Sequence, residues 1–236
     1  MTTERPNTTD TGRTGHTETE VPDVVDWVVG LFAALVGTGM AAGGGIAYWV
    51  LDRGELQSGV TGVPLPEVGL TRTELVTATL PALEWLFIGI VATGLVLVVG
   101  GVGFVLSRRR TRRAAARGDG TPGTVWAHAV YGAAASALVP VAPLSGLVGG
   151  GVAGYLEPPA RSSTRAGAIA GLLGVVPAVG ILAAGAVGVV VGASAIGELS
   201  AGLLIGGVGG SVVLAVLVAL GAGLGALGGA LADRLV

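Results

Sequence analysis

Five long apolar stretches alternate with polar segments along the chain: Val24 to Val50, Pro81 to Leu106, Val125 to Leu156, Ala166 to Val191 and Gly202 to Leu231. Each reaches the ~20 apolar residues that a helix needs to cross a hydrocarbon core about 30 Å thick, and charges are scarce near their centres. The pattern predicts an all-α protein, a polytopic transmembrane helix bundle. Four tryptophans fall at the ends of these stretches. Trp27 opens the first, Trp49 beside Tyr48 closes it, Trp85 opens the second and Trp126 the third. Their amphipathic rings make them candidate membrane-interface anchors. At the helical rise, Trp27 to Trp49 covers about 33 Å, one crossing with slight tilt.

The third stretch breaks the pattern, because Pro140 and Pro143 interrupt a run too long for one comfortable span. Two pieces are predicted, Val125 to Val139 and Leu144 to Leu156, each only about 20 Å long as a helix. Arginine placement favours a re-entrant pair over a fifth crossing. Arg108, Arg109, Arg110, Arg112, Arg113 and Arg117 follow the second stretch directly, which assigns that segment to the cytoplasm as a stop-transfer signal against anionic lipid heads. With a re-entrant pair, Arg161, Arg165 and Arg234 lie on the same side and the arginine-free turn around Glu198 faces out. A single crossing reverses all of them.

The expected organisation is therefore a disordered cytoplasmic tail (1–22), a two-span hairpin (23–106) with an external loop (52–80), an arginine-rich cytoplasmic linker (107–123) and a glycine-rich membrane domain (124–236). The Thr-rich tail has almost no apolar residues with which to offset the entropy of ordering. Its sequon at Asn7, Thr8 and Thr9 goes unused on the inside. The first stretch lacks a basic n-region and a small-residue cleavage site, so it reads as an uncleaved anchor. Asp23 or Asp26 is expected to cap it, and Thr71 with Glu74 to form a capping box for a short helix ending at Pro81.

Composition then says how the helices meet. Glycine makes up 44 of 236 residues without a Gly-X-Y period, so the glycines belong to the membrane helices. Gly146, Gly150 and Gly154 are four apart and share one helix face. Gly167 with Gly171, and Gly221, Gly225 and Gly229, repeat that spacing. Three small-xxx-small ridges are expected to pack together. A G-x-G-x-x-G run from Gly223 to Gly228 lies inside an apolar helix with no preceding strand, which argues against a dinucleotide site.

Beyond spacing, the runs PLSGLVGGGVAGYLE from Pro143 to Glu157, RAGAIAGLLG from Arg165 to Gly174 and GLGALGGAL from Gly223 to Leu231 resemble an uncharacterised membrane family of halophilic archaea. The likeness covers about Thr124 to Val236, with the string from Gly149 to Glu157 its most specific part. It implies a multispan helical fold and no known activity, ligand or catalytic residue. A basic complement made entirely of arginine and a formal net charge of −2 suit such a salt-adapted source.

Candidate chemistry is sparse. Without cysteine there are no disulfides, thiolate metal sites or cysteine nucleophiles. Glu84 and His128 read as boundary residues near helix starts, and Glu157 as a surface partner of Arg161 or Arg165. Ser136, Ser145, Ser194 and Ser211 are expected to bond back to helix carbonyls. Ser136 and His128 stand eight residues apart, about 12 Å along a helix, too far for a catalytic pair. No enzyme, metal or cofactor is expected. No aromatic residue interleaves the arginines, so nucleic acid is not expected either. Membrane lipids and further copies of the chain are the expected partners. The function expected is that of a non-enzymatic scaffold or subunit. The alternative is a small-solute or ion transporter or channel with a pathway at the broken helix, 140–146.

Overall fold

A computed structural model describes residues 21–51, 54, 58, 71–119, 124–139, 142–157 and 162–235. The tail with its sequon, most of the 52–70 segment, the 140–141 break and Arg161 lie outside the described residues. Among the described residues six long helices follow in order: α1 (Asp23–Val50), α2 (Arg72–Ala116), α3 (Val125–Ala137), α4 (Ala142–Leu156), α5 (Ser163–Ala195) and α6 (Leu199–Ala232). Four of them, α1, α2, α5 and α6, are long and apolar enough to cross a membrane. No strand occurs among the described residues.

Helix α2 departs from expectation at both ends. The Thr71 capping box forms, with Glu74 Oε2 accepting from the Thr71 backbone N–H at 2.8 Å, yet the helix it opens runs through Pro81 for 45 residues. The short helix expected over residues 71–80 is thus continuous with the second span rather than separate from it. Proline removes one backbone bond, a loss tolerated in a membrane helix when a neighbour backs it. Helix α5 packs closely against this turn: a β-carbon at Gly188 would stand 2.7 Å from the Pro81 carbonyl oxygen and 2.7 Å from Ala82 Cα. At its other end α2 continues past Leu106 through the arginines, good helix formers together with alanine. The stop comes at Gly118, whose φ of +83° is left-handed. Gly118 N–H donates to Ala115 O at 2.9 Å and Asp119 N–H to Ala114 O at 3.0 Å, a Schellman closure. The linker expected from residue 107 is therefore mostly helix.

Antiparallel α1 and α2 meet along glycines seven apart, two helical turns, where the four-residue spacing had drawn attention elsewhere. Gly30, Gly37 and Gly44 are buried on α1, and Gly94 and Gly101 on α2. A β-carbon at Gly94 would lie 2.7 Å from Ala41 N, and one at Gly101 would lie 2.6 Å from Gly30 O. Backbone thus meets backbone.

At the break, α3 and α4 fold back on each other. A β-carbon at Gly132 would lie 2.9 Å from both Ala153 Cβ and Ala170 Cβ. The pair enters from the end of the bundle that holds Arg108, Ser163 and Gly229, here called the arginine end, and stops part-way. Ser136, in the last turn of α3, reaches only the level of Gly174, since a β-carbon there would stand 3.7 Å from Ser136 Cβ. Gly174 is about 16 Å along α5 from Ser163, about half a hydrocarbon core. The third apolar stretch is thus a re-entrant helix pair and not a crossing. Where α3, α4 and α5 meet, Ala129, Ala153, Ala166 and Ala170 form a buried cluster, and no large apolar residue is fully buried among the described residues. Lipid tails are as apolar as leucine, so small residues that let backbones approach decide the interior.

Candidate functional site

Two polar locks occupy the arginine end, and the first two turns of α3 contribute to both. Thr124 caps this helix, its hydroxyl accepting from Ala127 N–H at 3.2 Å. One turn apart on the following residues are His128 and Tyr131, both buried.

In the first lock, Asp26 stands at the centre. It does not cap α1, whose N-cap is Pro22 with no side-chain cap bond. Its Oδ1 accepts from Arg108 Nε at 3.2 Å and from the Tyr131 hydroxyl, while its Oδ2 accepts from Arg112 Nε at 2.8 Å. Arg112 Nε also lies 2.7 Å from Asp23 Oδ1, and its Nη2 donates to Val21 O at 2.7 Å. Phe104 meets the Tyr131 ring edge-on with centroids 5.7 Å apart. The side chains of Arg108 and Asp26 are 7% and 6% exposed, so this pair sits away from water. Two aspartates balance two arginines, and the network joins α1, α2 and α3.

In the second lock, His128 Nδ1 faces Glu157 Oε2 at 2.8 Å, with the glutamate side chain fully buried. Glu157 therefore is not the surface residue its place beside Pro158 suggested, and His128 is not a simple boundary residue. The bond closes the base of the re-entrant pair. Ser136 donates to Gly132 O at 3.1 Å, Ser194 to Val191 O at 2.6 Å and Ser211 to Gly207 O at 2.6 Å. These hydroxyls satisfy helix carbonyls. Among the described residues no group of three His, Asp or Glu side chains could hold a metal ion.

The six arginines divide by helix face. Arg108 and Arg112 turn inward to Asp26, and Arg109 stacks over Trp27 with its guanidinium carbon 4.4 Å from the ring centroid. Arg110, Arg113 and Arg117 are exposed, the last 3.7 Å from Asp119. Trp27 and Trp126 lie at the arginine end, and Trp49 and Trp85 at the other. All four rings reach the outer surface, from 38% exposed at Trp85 to 86% at Trp49. The glycine ridges converge. A β-carbon at Gly150 or Gly167 would strike the Gly225 carbonyl, one at Gly171 the Gly221 carbonyl, and one at Gly154 would stand 2.7 Å from Gly229 Cα. Gly146 is looser, 3.1 Å from Leu224 Cβ by the same measure.

Both locks carry a sequence signal that hydropathy does not register. Gly94, Gly101 and Arg108 share the seven-residue spacing of the α1 seam, which places Arg108 on the face that meets α1 beyond Gly30, within reach of Asp26. His128 and Glu157 stand at equal distances on either side of Ala142 and Pro143, the point where a re-entrant pair must fold.

Four apolar spans and an inserted helix pair define a polytopic α-helical membrane protein. Comparison with protein families, curated proteins and solved structures finds no match to the chain.

Proposed function

We propose that the protein is a non-enzymatic membrane scaffold or subunit. The seam where α4, α5 and α6 meet backbone to backbone at Gly150, Gly171 and Gly225 carries this reading, because it leaves no passage between those helices. Its larger apolar side chains face outward, as on Leu203, Leu204, Ile205 and Val208 of α6, and offer surface to lipid or to other membrane helices. The resemblance of residues 124–236 to the halophilic membrane family belongs with this reading. Reconstituted into proteoliposomes, the full chain is expected to give no saturable flux of protons, sodium, chloride or small neutral solutes above protein-free vesicles. Cross-linking in native membranes is expected to capture it in assemblies of defined stoichiometry. A saturable flux lost in His128→Ala would replace this reading with a transporter or channel. That second reading is favoured by the half-depth helix pair, which brings Ser136, His128 and Glu157 inside the bundle.

The arginine end is the cytoplasmic end in this proposal, since Arg108 to Arg117, Arg165 and Arg234 all gather there. The cysteine-free chain permits a direct test. Ser162→Cys, at the exposed N-cap of α5, is expected to resist a membrane-impermeant maleimide in intact cells and to label after lysis. Labelling in intact cells would reverse the orientation.

A further inference from the structure

On the outer side of the α1–α2 seam, turned away from the Asp26 lock, runs an apolar groove of about 190 Å³. Its floor is glycine backbone, Gly30 against Gly101, and the missing side chains give it depth. Its walls are two stripes at helical spacing: Trp27, Leu31 and Ala34 on α1, and Val102, Leu106 and Arg109 on α2. Leu31 is 59% exposed and Leu106 51%, so the groove opens outward, toward lipid. Only its arginine end is polar. There Arg109 lies over the Trp27 ring, and Arg113, one turn further on the same stripe, is exposed.

We infer that this groove holds one hydrocarbon chain of an anionic phospholipid, with the lipid phosphate bound by Arg109 and Arg113. Charge selects the occupant. A guanidinium stacked on an indole keeps its N–H fork free for a phosphate oxygen, and the ring fixes it at the interface. Among the described residues, the acidic side chains at the start of α1, Asp23 and Asp26, are turned to Arg112 and Arg108 and leave Arg109 and Arg113 to an outside anion. A second copy of the chain fits less well. Copies inserted in the same orientation carry their arginines at the same depth, so two grooves facing each other would oppose like charges. A phospholipid instead supplies the apolar chain and the negative head together, in the order the groove presents them.

The test uses the full chain with Trp27 as its only tryptophan (Trp49→Phe, Trp85→Phe and Trp126→Phe), in phosphatidylcholine vesicles containing a brominated-chain lipid as quencher. Brominated phosphatidylglycerol is expected to half-quench Trp27 at a mole fraction about fivefold lower, for each engaged arginine, than brominated phosphatidylcholine. Arg113→Gln, which leaves the Trp27 stack in place, should reduce that preference, and Arg109→Gln with Arg113→Gln should abolish it. A protein retaining only Trp49, at the opposite end, should show no preference. Excess inorganic phosphate should leave the Trp27 preference unchanged. Equal quenching by the two headgroups in the parent would mean an ordinary lipid shell and overturn the site. Loss of the preference in phosphate would mean a soluble-anion site, and insensitivity to both quenchers with dependence on the protein-to-lipid ratio would mean a second copy. Either outcome sinks the lipid assignment. The parent comparison stands without the arginine variants, so a variant that fails to fold does not block it.

Discussion

Asp26→Ala is expected to destabilise the protein by about 3 to 5 kcal/mol, the cost of breaking a buried ion pair by removing one partner. Asp26 faces two guanidiniums and the Tyr131 hydroxyl, and Arg108 is 6% exposed. Without the carboxylate, Arg108 keeps its desolvation penalty and loses the charge that offset it. Arg112 is less affected, because its side chain is 20% exposed and reaches Asp23 as well. Removing both charges, in Asp26→Leu with Arg108→Leu, should therefore recover most of the loss, since apolar replacement of a buried pair is often neutral. Unfolding of the parent, Asp26→Leu, Arg108→Leu and the double variant in mixed detergent micelles measures the coupling directly. A single-variant loss below about 0.5 kcal/mol, the scale of a surface substitution, would show that the lock adds nothing to stability.

Gly225→Val should be comparably severe, and for a steric reason. A β-carbon at this position would overlap the Gly167 carbonyl and stand 2.9 Å from Gly171 Cα and 3.0 Å from Gly171 N. Those atoms are backbone and cannot rotate away, so α5 must retreat from α6. Overpacking commonly costs about 1 to 3 kcal/mol even where side chains can adjust, and here they cannot. Two residues earlier on the same helix, Gly223 has nothing within 4 Å of its would-be β-carbon. Gly223→Val therefore controls for the change in helix propensity and lipid contact. The expected result is a large drop in detergent resistance and folded yield for Gly225→Val beside near-parental behaviour for Gly223→Val. Equal behaviour of the two variants would refute the close seam.

Legibility differed between the backbone and the site. The division of the third stretch into two helices was foreseen from Pro140 and Pro143, because proline acts locally on helix continuity. By contrast the end of the second span was placed at Leu106, where hydropathy falls, although the helix runs to Ala116. Hydropathy measures preference for lipid, whereas helix continuity in water depends on propensity and on the stop at Gly118. The same limitation hid the polar locks. Arg108 belonged, by composition, with five neighbours at a lipid surface. Its rotation by helical spacing turns it toward α1, and only the register between α1 and α2 shows that Asp26 waits there. Glu157, beside two prolines, looked solvated for the same reason.

By itself the sequence determined that the chain is membrane-inserted and helical, where its apolar segments lie, that the third is broken, and which faces of the last three glycine-rich segments are smooth enough for close contact. Each of these follows from properties of single residues or of spacing along one helix. Tertiary structure decided which smooth faces meet, that Asp26 gathers Arg108, Arg112 and Tyr131, and that His128 closes on Glu157. Pairing depends on the register of one helix against another. In lipid that register is set by backbone fit at glycines rather than by hydrophobic burial, and no single stretch of sequence carries it.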